Sequence, residues 1–462
     1  MIMRRLILST VCYFIFFLTW QTAAWSQVSG RELPEILTIE EAVRFALANS
    51  PDSAITKQRI AAAQAIVKQA NSAFFPNLDV SASYGQTNNP MYSFGNILNQ
   101  GTFTRDIDFN DPGKTDNLNM SATLNYRFYN GGHDEAGLKA AESGETASQF
   151  ELEAVHSQLG FAVVKTFYTI IQAEENLQAR LSAAEATKAS IKVARARYEA
   201  GDLLKADLLN LEVHQSRANE NLIQAQHALK LAKRAFLNLL GLEKGPLNLD
   251  TSCDFEQLIP PGESFDNRPE LKSLDAAIEA AEAVVRQASS GYYPTADVFA
   301  GYQVDKGFEL DGDGNSWIAG VKLNYNLFNG QRTSADVARA NALLAETKEQ
   351  KRKTSLAINF EVEQAKLFLE ETEQRLQVTE KMVEQAAESA HLSREQFKEG
   401  VVLSSDLIDV ENRLTDARVR KTVATASHRI AIADFRRAVG LQQFEETGSD
   451  APAREGNDKG QE

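Results

Sequence analysis

In the second half of the chain, apolar and small residues recur at alternating intervals of four and three. They are Ile358, Val362, Ala365, Leu369, Thr372, Leu376, Thr379, Val383, Ala386, Ala390, Ser393 and Phe397. That spacing predicts a helix bearing a left-handed coiled-coil seam, and its small and hydroxyl-bearing members allow a partner to approach closely. Proline is absent from 113 through 245 and from 295 through 451, so 132–198 and 331–397 can each run as one uninterrupted rod. At ~1.5 Å per residue, each rod would be about 100 Å long. Gly201 and Gly400 are placed to end the rods, because glycine accepts the positive φ that closes a helix C-terminus. A second helix then returns antiparallel, to Gly241 or Gly440.

Four further segments alternate with period two. From Leu118 to Phe128, the apolar side chains share one face, and Asn119, Ser121, Thr123, Asn125 and Arg127 share the other. Trp317, Ala319, Val321, Leu323, Tyr325 and Leu327 repeat the pattern against Lys322, Asn324 and Asn326. Leu78, Val80, Ala82 and Tyr84 form a third strand, and Ala296, Val298, Ala300, Tyr302 and Val304 a fourth. Such strands suit either a half-buried soluble sheet or an outer-membrane barrel with lipid on one face. Four strands cannot close a barrel, for which about eight is the practical minimum. An open sheet in hydrocarbon would leave backbone groups unpaired, so a membrane reading requires several chains to share one barrel.

The strand and helix patterns belong to an internal duplication. Leu124-Asn125-Tyr126-Arg127-Phe128-Tyr129-Asn130-Gly131 returns as Leu323-Asn324-Tyr325-Asn326-Leu327-Phe328-Asn329-Gly330, an offset of 199 residues. The same offset carries Gly201, Asp207, Leu208, Glu212, Phe236 and Gly241 onto Gly400, Asp406, Leu407, Glu411, Phe435 and Gly440. Upstream, Pro51, Phe75, Pro76, Asp79, Val80 and Tyr84 meet Pro269, Tyr293, Pro294, Asp297, Val298 and Tyr302 at an offset of 218, which puts 19 extra residues between Tyr84 and Tyr126. Length variation in one place marks an exposed loop. Each unit reads as a short helix, a strand, a variable loop, a strand and a long helical pair. The expected divisions are a signal peptide over 1–26, a first repeat over 27–242, a linker over 243–266, a second repeat over 267–441 and a disordered tail over 442–462.

The signal peptide rests on Arg4 and Arg5 before an apolar run from Leu6 to Trp20, with Ala24-Trp25-Ser26 at the cleavage position. A membrane anchor is the competing reading, though the run is short for a span. Cys12 lacks a lipobox-like context. Cleavage leaves Cys253 as the one cysteine, so packing or assembly must replace disulfides. The net charge of −15 argues against nucleic acid as a partner. The six histidines form no ligand-spaced cluster. Asp311-Gly312-Asp313-Gly314-Asn315 begins like a calcium loop but fails at Ser316 and Lys322, where glycine and glutamate are needed, so a hairpin turn explains it better. No phosphate loop, nucleophile elbow or metal motif appears; neither an enzyme nor a cofactor is expected.

Taken in order, these features resemble the TolC-like outer membrane factor family from about Leu37 to Leu441. The matching residues are Leu37-Thr38-Ile39-Glu40-Glu41-Ala42, Asn49-Ser50-Pro51, Phe75-Pro76, the Tyr126 to Gly131 turn and the Tyr198/Gly201/Asp207 tip. The resemblance implies a mainly α fold with a small β part: a homotrimer whose long helical hairpins form a periplasmic tunnel and whose strands, four per chain, form a 12-stranded barrel among outer-membrane lipid. It implies an exit duct for efflux or type I secretion, served by a periplasmic adaptor and an inner-membrane transporter. The competing reading is a periplasmic coiled-coil scaffold without a pore.

By the same resemblance, Asp406 and Asp409 would ring the periplasmic constriction, drawing cations and repelling small anions. The alternative is a pair of helix N-terminal aspartates stabilised by the macrodipole. Gly201, Leu203, Leu204, Gly400, Val401, Leu403 and Ser404 are the candidate adaptor contacts, unless the leucines and valines only pack the tip. Tyr198, Asp207 and Phe397 complete the tip set. Val402 stands where some members carry a tethering arginine, and Phe397 where they carry tyrosine, which leaves open what latches the gate.

Overall fold

A computed structural model describes residues 36–250 and 258–444. The signal peptide, Cys253 and the chain beyond 444 lie outside the described residues. Packed chain continues past the expected tail boundary at 442: Gln443 is buried, its Nε2 donates to Ala433 O at 2.9 Å, and Phe444 packs on an apolar core.

The first repeat opens with α1 (Ile39–Asn49) and α2 (Pro51–Asn71). Thr38 and Glu41 form a capping box on α1, satisfying two N-terminal donors, and Ser50 caps α2 ahead of Pro51. Then come β1 (Asn77–Thr87), α3 (Pro90–Asn99), β2 (Thr115–Tyr129), α4 (His133–Glu199) and α5 (Lys205–Leu239). The second repeat gives α6 (Pro269–Ser289), β3 (Thr295–Lys306), β4 (Asp313–Asn324), α7 (Arg332–Lys398) and α8 (Ser404–Ala438).

The rods α4 and α7 are 67 residues each, and their return helices only 35. A return helix therefore covers about half of its rod. The helix before each strand pair covers more, and at 21 residues it is longer than the short helix the sequence suggested. α2 begins where α5 ends, so closely that a Cβ on Gly241 would sit 2.8 Å from Asn49 O. α6 begins where α8 ends in the same way: Arg268 donates to Arg437 O and Ala438 O, satisfying carbonyls that the helix end leaves open. All twelve seam positions of α7 are buried or half-buried.

The four strands form one antiparallel sheet in the order β1-β2-β3-β4. Its register aligns the apolar positions across all strands: Leu78 opposes Leu124, which opposes Ala300, which opposes Ala319. That face is bare, with Val80 78% and Trp317 77% exposed. The other face is polar apart from Phe299 and Ile318, with Ser81 Oγ 2.8 Å from Ser121 Oγ and Arg127 Nε donating to Asp297 Oδ1 at 2.8 Å. Neither β1 nor β4 has a partner on its outer edge among the described residues. β4 stops at Asn324, so Tyr325 and Leu327 lie beyond the strand the sequence gave them.

The sheet and the tips lie at opposite ends of the rods. Between them, α6 packs against both α4 and α7, while its counterpart α2 packs against α4. α2 consequently has only Ser53 and Thr56 buried, with Ile55 and Ile66 exposed. The outer flank of α7 is equally uncovered at Leu343, Leu356, Phe360 and Leu367.

Candidate functional site

The far end of the shaft is two hairpin turns, one from each repeat, built alike. Gly201 and Gly400 adopt φ of 86° and 81°, left-handed values that glycine holds without strain. The following amides reach back to the last turn, Asp202 N to Arg197 O at 2.8 Å and Val401 N to Gln396 O at 2.9 Å. This is the double closure that satisfies carbonyls at a helix C-terminus.

A small apolar core joins the two turns: Ile191, Ala194, Leu208 and Leu211 from the first repeat with Phe397 and Leu407 from the second. Two polar contacts then cross between repeats. Arg197 Nη1 donates to Phe397 O at 2.9 Å, its Nη2 to Asp202 O at 3.3 Å, and its guanidinium carbon lies 5.3 Å from the centre of the Phe397 ring. Ser404 Oγ, fully buried, donates to Asp207 Oδ1 at 2.8 Å. The tip of one hairpin thus caps the C-terminus of the other's rod, while its carboxylate receives the other's serine.

Each hairpin is also braced internally at equivalent positions. Arg195 pairs with Glu212 at 3.1 Å in the first repeat. Arg394 pairs with Glu411 through two contacts in the second, one of them Nη2 to Oε2 at 2.7 Å. The second brace is the buried one, with Glu411 7% exposed, and its hydrogen bonds hold the Arg394 pKa above the ordinary arginine value. His214 is half-buried nearby; burial pushes its pKa down, opposed by the Glu411 charge and assisted by that of Arg217.

The sequence candidates separate by environment. Phe397 and Ser404 are buried, and Leu203 is half-buried in the tip core, so these three pack the tip. Leu204, Val401 and Leu403 are apolar yet 72%, 75% and 65% exposed, and with Gly201 and Gly400 they form the accessible rim. Tyr198 is partly exposed beside them. Asp406 and Asp409 are both exposed. Asp406 sits in the first turn of α8, accepting from Ser405 Oγ at 3.3 Å, whereas Asp409 pairs with Arg413 at 2.6 Å one turn on. Arg197 was missed by sequence reasoning. Its signal was a break in the repeat, since the position 199 residues on is Gln396. Among the described residues, no cluster of three or more His, Cys, Asp or Glu is placed to hold a metal ion.

The geometry is that of a sheet with one bare apolar face and two edges unpaired among the described residues, carried on a long helical shaft that ends in a pinned tip. The chain belongs to the outer membrane efflux protein family, whose profile matches residues 42–242 and 261–441. Protein CyaE of Bordetella pertussis is 25% identical over 326 residues, a match covering 67% of this chain and 65% of that protein. The pyoverdine export outer membrane protein OpmQ of Pseudomonas aeruginosa is 22% identical over 437 residues, covering 90% of this chain and 85% of that protein. The fold matches the Campylobacter jejuni CmeC outer membrane channel with a TM-score of 0.75 at 16% identity, covering 92% of each chain.

Proposed function

We propose that three copies of this chain assemble into an outer-membrane exit duct of an efflux or type I secretion machine. The observation that carries this reading is the set of surfaces one copy leaves unfinished. Burying apolar surface stabilises by about 25 cal/mol per Å², and the sheet leaves a whole face of it bare. Hydrocarbon accepts that face only if every strand edge is paired, and β1 and β4 supply each other's missing partner when copies join in a ring. The same ring places the bare flanks of α2 and α7 against each other, as α6 already joins α4 and α7 within the chain. The polar strand face then lines the lumen.

At the other end, the Arg197–Phe397 and Asp207–Ser404 contacts hold the two tips together, and separating them widens the periplasmic mouth. The carboxylates of Asp406, repeated around the axis, bias the mouth toward cations. The exposed rim of Gly201, Leu204, Gly400, Val401 and Leu403 is an apolar surface suited to a periplasmic adaptor, which links the duct to an inner-membrane transporter. A pore-free periplasmic scaffold gives the bare sheet face no role.

Mass measurement of the detergent-extracted protein, paired with planar-bilayer recording, tests the reading. A trimer that conducts is expected. A detergent-free, water-soluble monomer released by osmotic shock would end it.

A further inference from the structure

The segment between Tyr84 and Tyr126 that carries the 19 extra residues is exposed, as expected, but only part of it is irregular. It holds α3, started by Asn89, whose Oδ1 accepts from Met91 N at 3.1 Å, with Pro90 at the first helical position. Behind α3, Phe94 meets Phe103 and Phe109 with ring centres 5.9 and 4.8 Å apart. This unit is folded back over the sheet and touches β2 and β4.

The face it covers is the polar one. Asn96 Nδ2 donates to Thr115 Oγ1 at 3.0 Å, and Gln100 Nε2 to Asn117 Oδ1 at 3.1 Å and to Asp116 O at 2.6 Å. Thr115 and Asn117 share the side of β2 that carries Asn119 and Ser121, opposite the apolar positions. The glycines of the aborted calcium-loop motif now acquire a purpose. A Cβ on Gly314 would lie 1.9 Å from Asn99 O, and one on Gly312 would lie 2.7 Å from Gln100 O. Gly314 opposes Asp305, which opposes Asn119, so its missing side chain clears space on the polar face. Gly307 does the same for the Gln100 side chain, which is 2% exposed. The β3–β4 hairpin is carved to seat this crossing.

Folded on that side, the insertion is turned away from lipid. It nevertheless leaves Met91, Tyr92, Leu98, Phe103 and Phe109 exposed, with Phe103 and Phe109 clustered on Phe94. Water is a poor neighbour for such a cluster, and large exposed patches mark contact sites. In a closed ring the space before them is the lumen, and its other occupants are the same residues of the two partner copies. We propose that residues 88–114 form a lid at the outer mouth, closed by the aromatic clusters of three copies meeting at the axis. This rests on the trimeric-duct reading. The lid moves as a unit about its anchors at Asn96 and Gln100, and bulky solutes leave only when it opens.

Thiol labelling of intact cells producing the full chain with Cys253→Ser tests this. Ser81→Cys places one thiol on the polar face below the lid. A small membrane-impermeant maleimide added outside is expected to label it, and a polymer-linked maleimide is not. Replacing 90–112 by a short Gly-Ser linker, or seating a methyl under the crossing with Gly314→Ala, is expected to give both reagents access. The second variant decides the matter where the first fails to assemble. Separately, Phe109→Cys is expected to crosslink copies under mild oxidation. Polymer labelling with the native loop, or no Phe109→Cys crosslink, in protein that still runs as a trimer overturns the lid. Loss of the trimer in the Cys253→Ser chain itself overturns the duct reading beneath it.

Discussion

Arg197 reaches from the last turn of one rod to the last turn of the other, donating to Phe397 O at 2.9 Å while its guanidinium stacks over the Phe397 ring. A charged hydrogen bond of this kind, discounted for partial exposure, is worth about 1–2 kcal/mol. Arg197→Ala should therefore shift the balance between closed and open tips by about 5- to 30-fold. Single-channel recording should show longer or larger openings. Arg197→Lys keeps the charge but loses the fork, and should fall between the two. Conductance unchanged in both variants would remove Arg197 from the latch.

Ser404 and Asp207 make a second bond between repeats, and here the serine is fully buried. Asp207→Ala leaves a buried hydroxyl without its acceptor, a loss of about 1–3 kcal/mol. Ser404→Ala removes the donor instead and leaves a half-buried carboxylate that water can reach. Because the two side chains act together, the double variant should cost less than the single losses combined, with a coupling of about 0.5–3 kcal/mol. Amide exchange across 203–209 and 402–408 reads this directly.

How much of this was legible beforehand differs by element. The rods, their glycine ends and the α7 seam follow from periodicity and proline-free length, which are local signals, and they appear as expected. Strand faces were equally local. The extent of α2 and α6 was not, because their length is set by how much rod the return helices leave uncovered. The contact between the tips is non-local in the same sense: Arg197 is an ordinary helix residue until Phe397 arrives from 200 residues away. The motif at Asp311–Asn315 lies at the β3–β4 hairpin turn, as its spacing suggested, but that its glycines also clear space for residues 99–102 is a non-local relation that no spacing rule connects to it.

Asp406 and Asp409 differ in a way the sequence did not show. Asp409 is paired with Arg413 at 2.6 Å, whereas Asp406 accepts from the neighbouring Ser405 hydroxyl at 3.3 Å. A carboxylate already paired contributes less field to the mouth. Asp406→Asn should weaken divalent-cation block more than Asp409→Asn does, and the double variant should weaken it most. Block measured in bilayers with divalent cation on the periplasmic side checks the order. Equal block in all four proteins would take both residues out of the gate.

The braces within the hairpins offer a matched comparison, since Arg195–Glu212 and Arg394–Glu411 occupy equivalent positions but different environments. Removing one partner of an exposed pair costs about 0–1 kcal/mol, and losing the charged hydrogen bonds of a pair in which only the carboxylate is buried costs about 1–3 kcal/mol. Glu411→Gln should destabilise the second hairpin clearly, and Glu212→Gln should scarcely affect the first. Urea unfolding of the detergent-solubilised protein, followed by tryptic cleavage near each tip, separates the two. Comparable losses would mean that burial does not set the strength of the brace.

His156 links α2 to α4 and gives the shaft a pH dependence of known sign. Ser53 Oγ donates to Leu47 O at 2.7 Å, so its contact of 3.0 Å with His156 Nε2 requires the imidazole N–H to donate. Burial lowers the His156 pKa below the ordinary 6.5, and the Lys57 charge lowers it further. The folded state therefore binds fewer protons than the unfolded one in this range, and stability rises with pH. Its contribution is complete above about 6.5 and is lost as pH falls through the lowered value. Acidification from pH 7.5 to 5 should loosen the junction between α1 and α2, read as faster amide exchange across 47–57. His156→Gln can still donate to Ser53 but cannot titrate, and it should flatten that response. A pH profile identical in the two proteins would assign the acid sensitivity elsewhere.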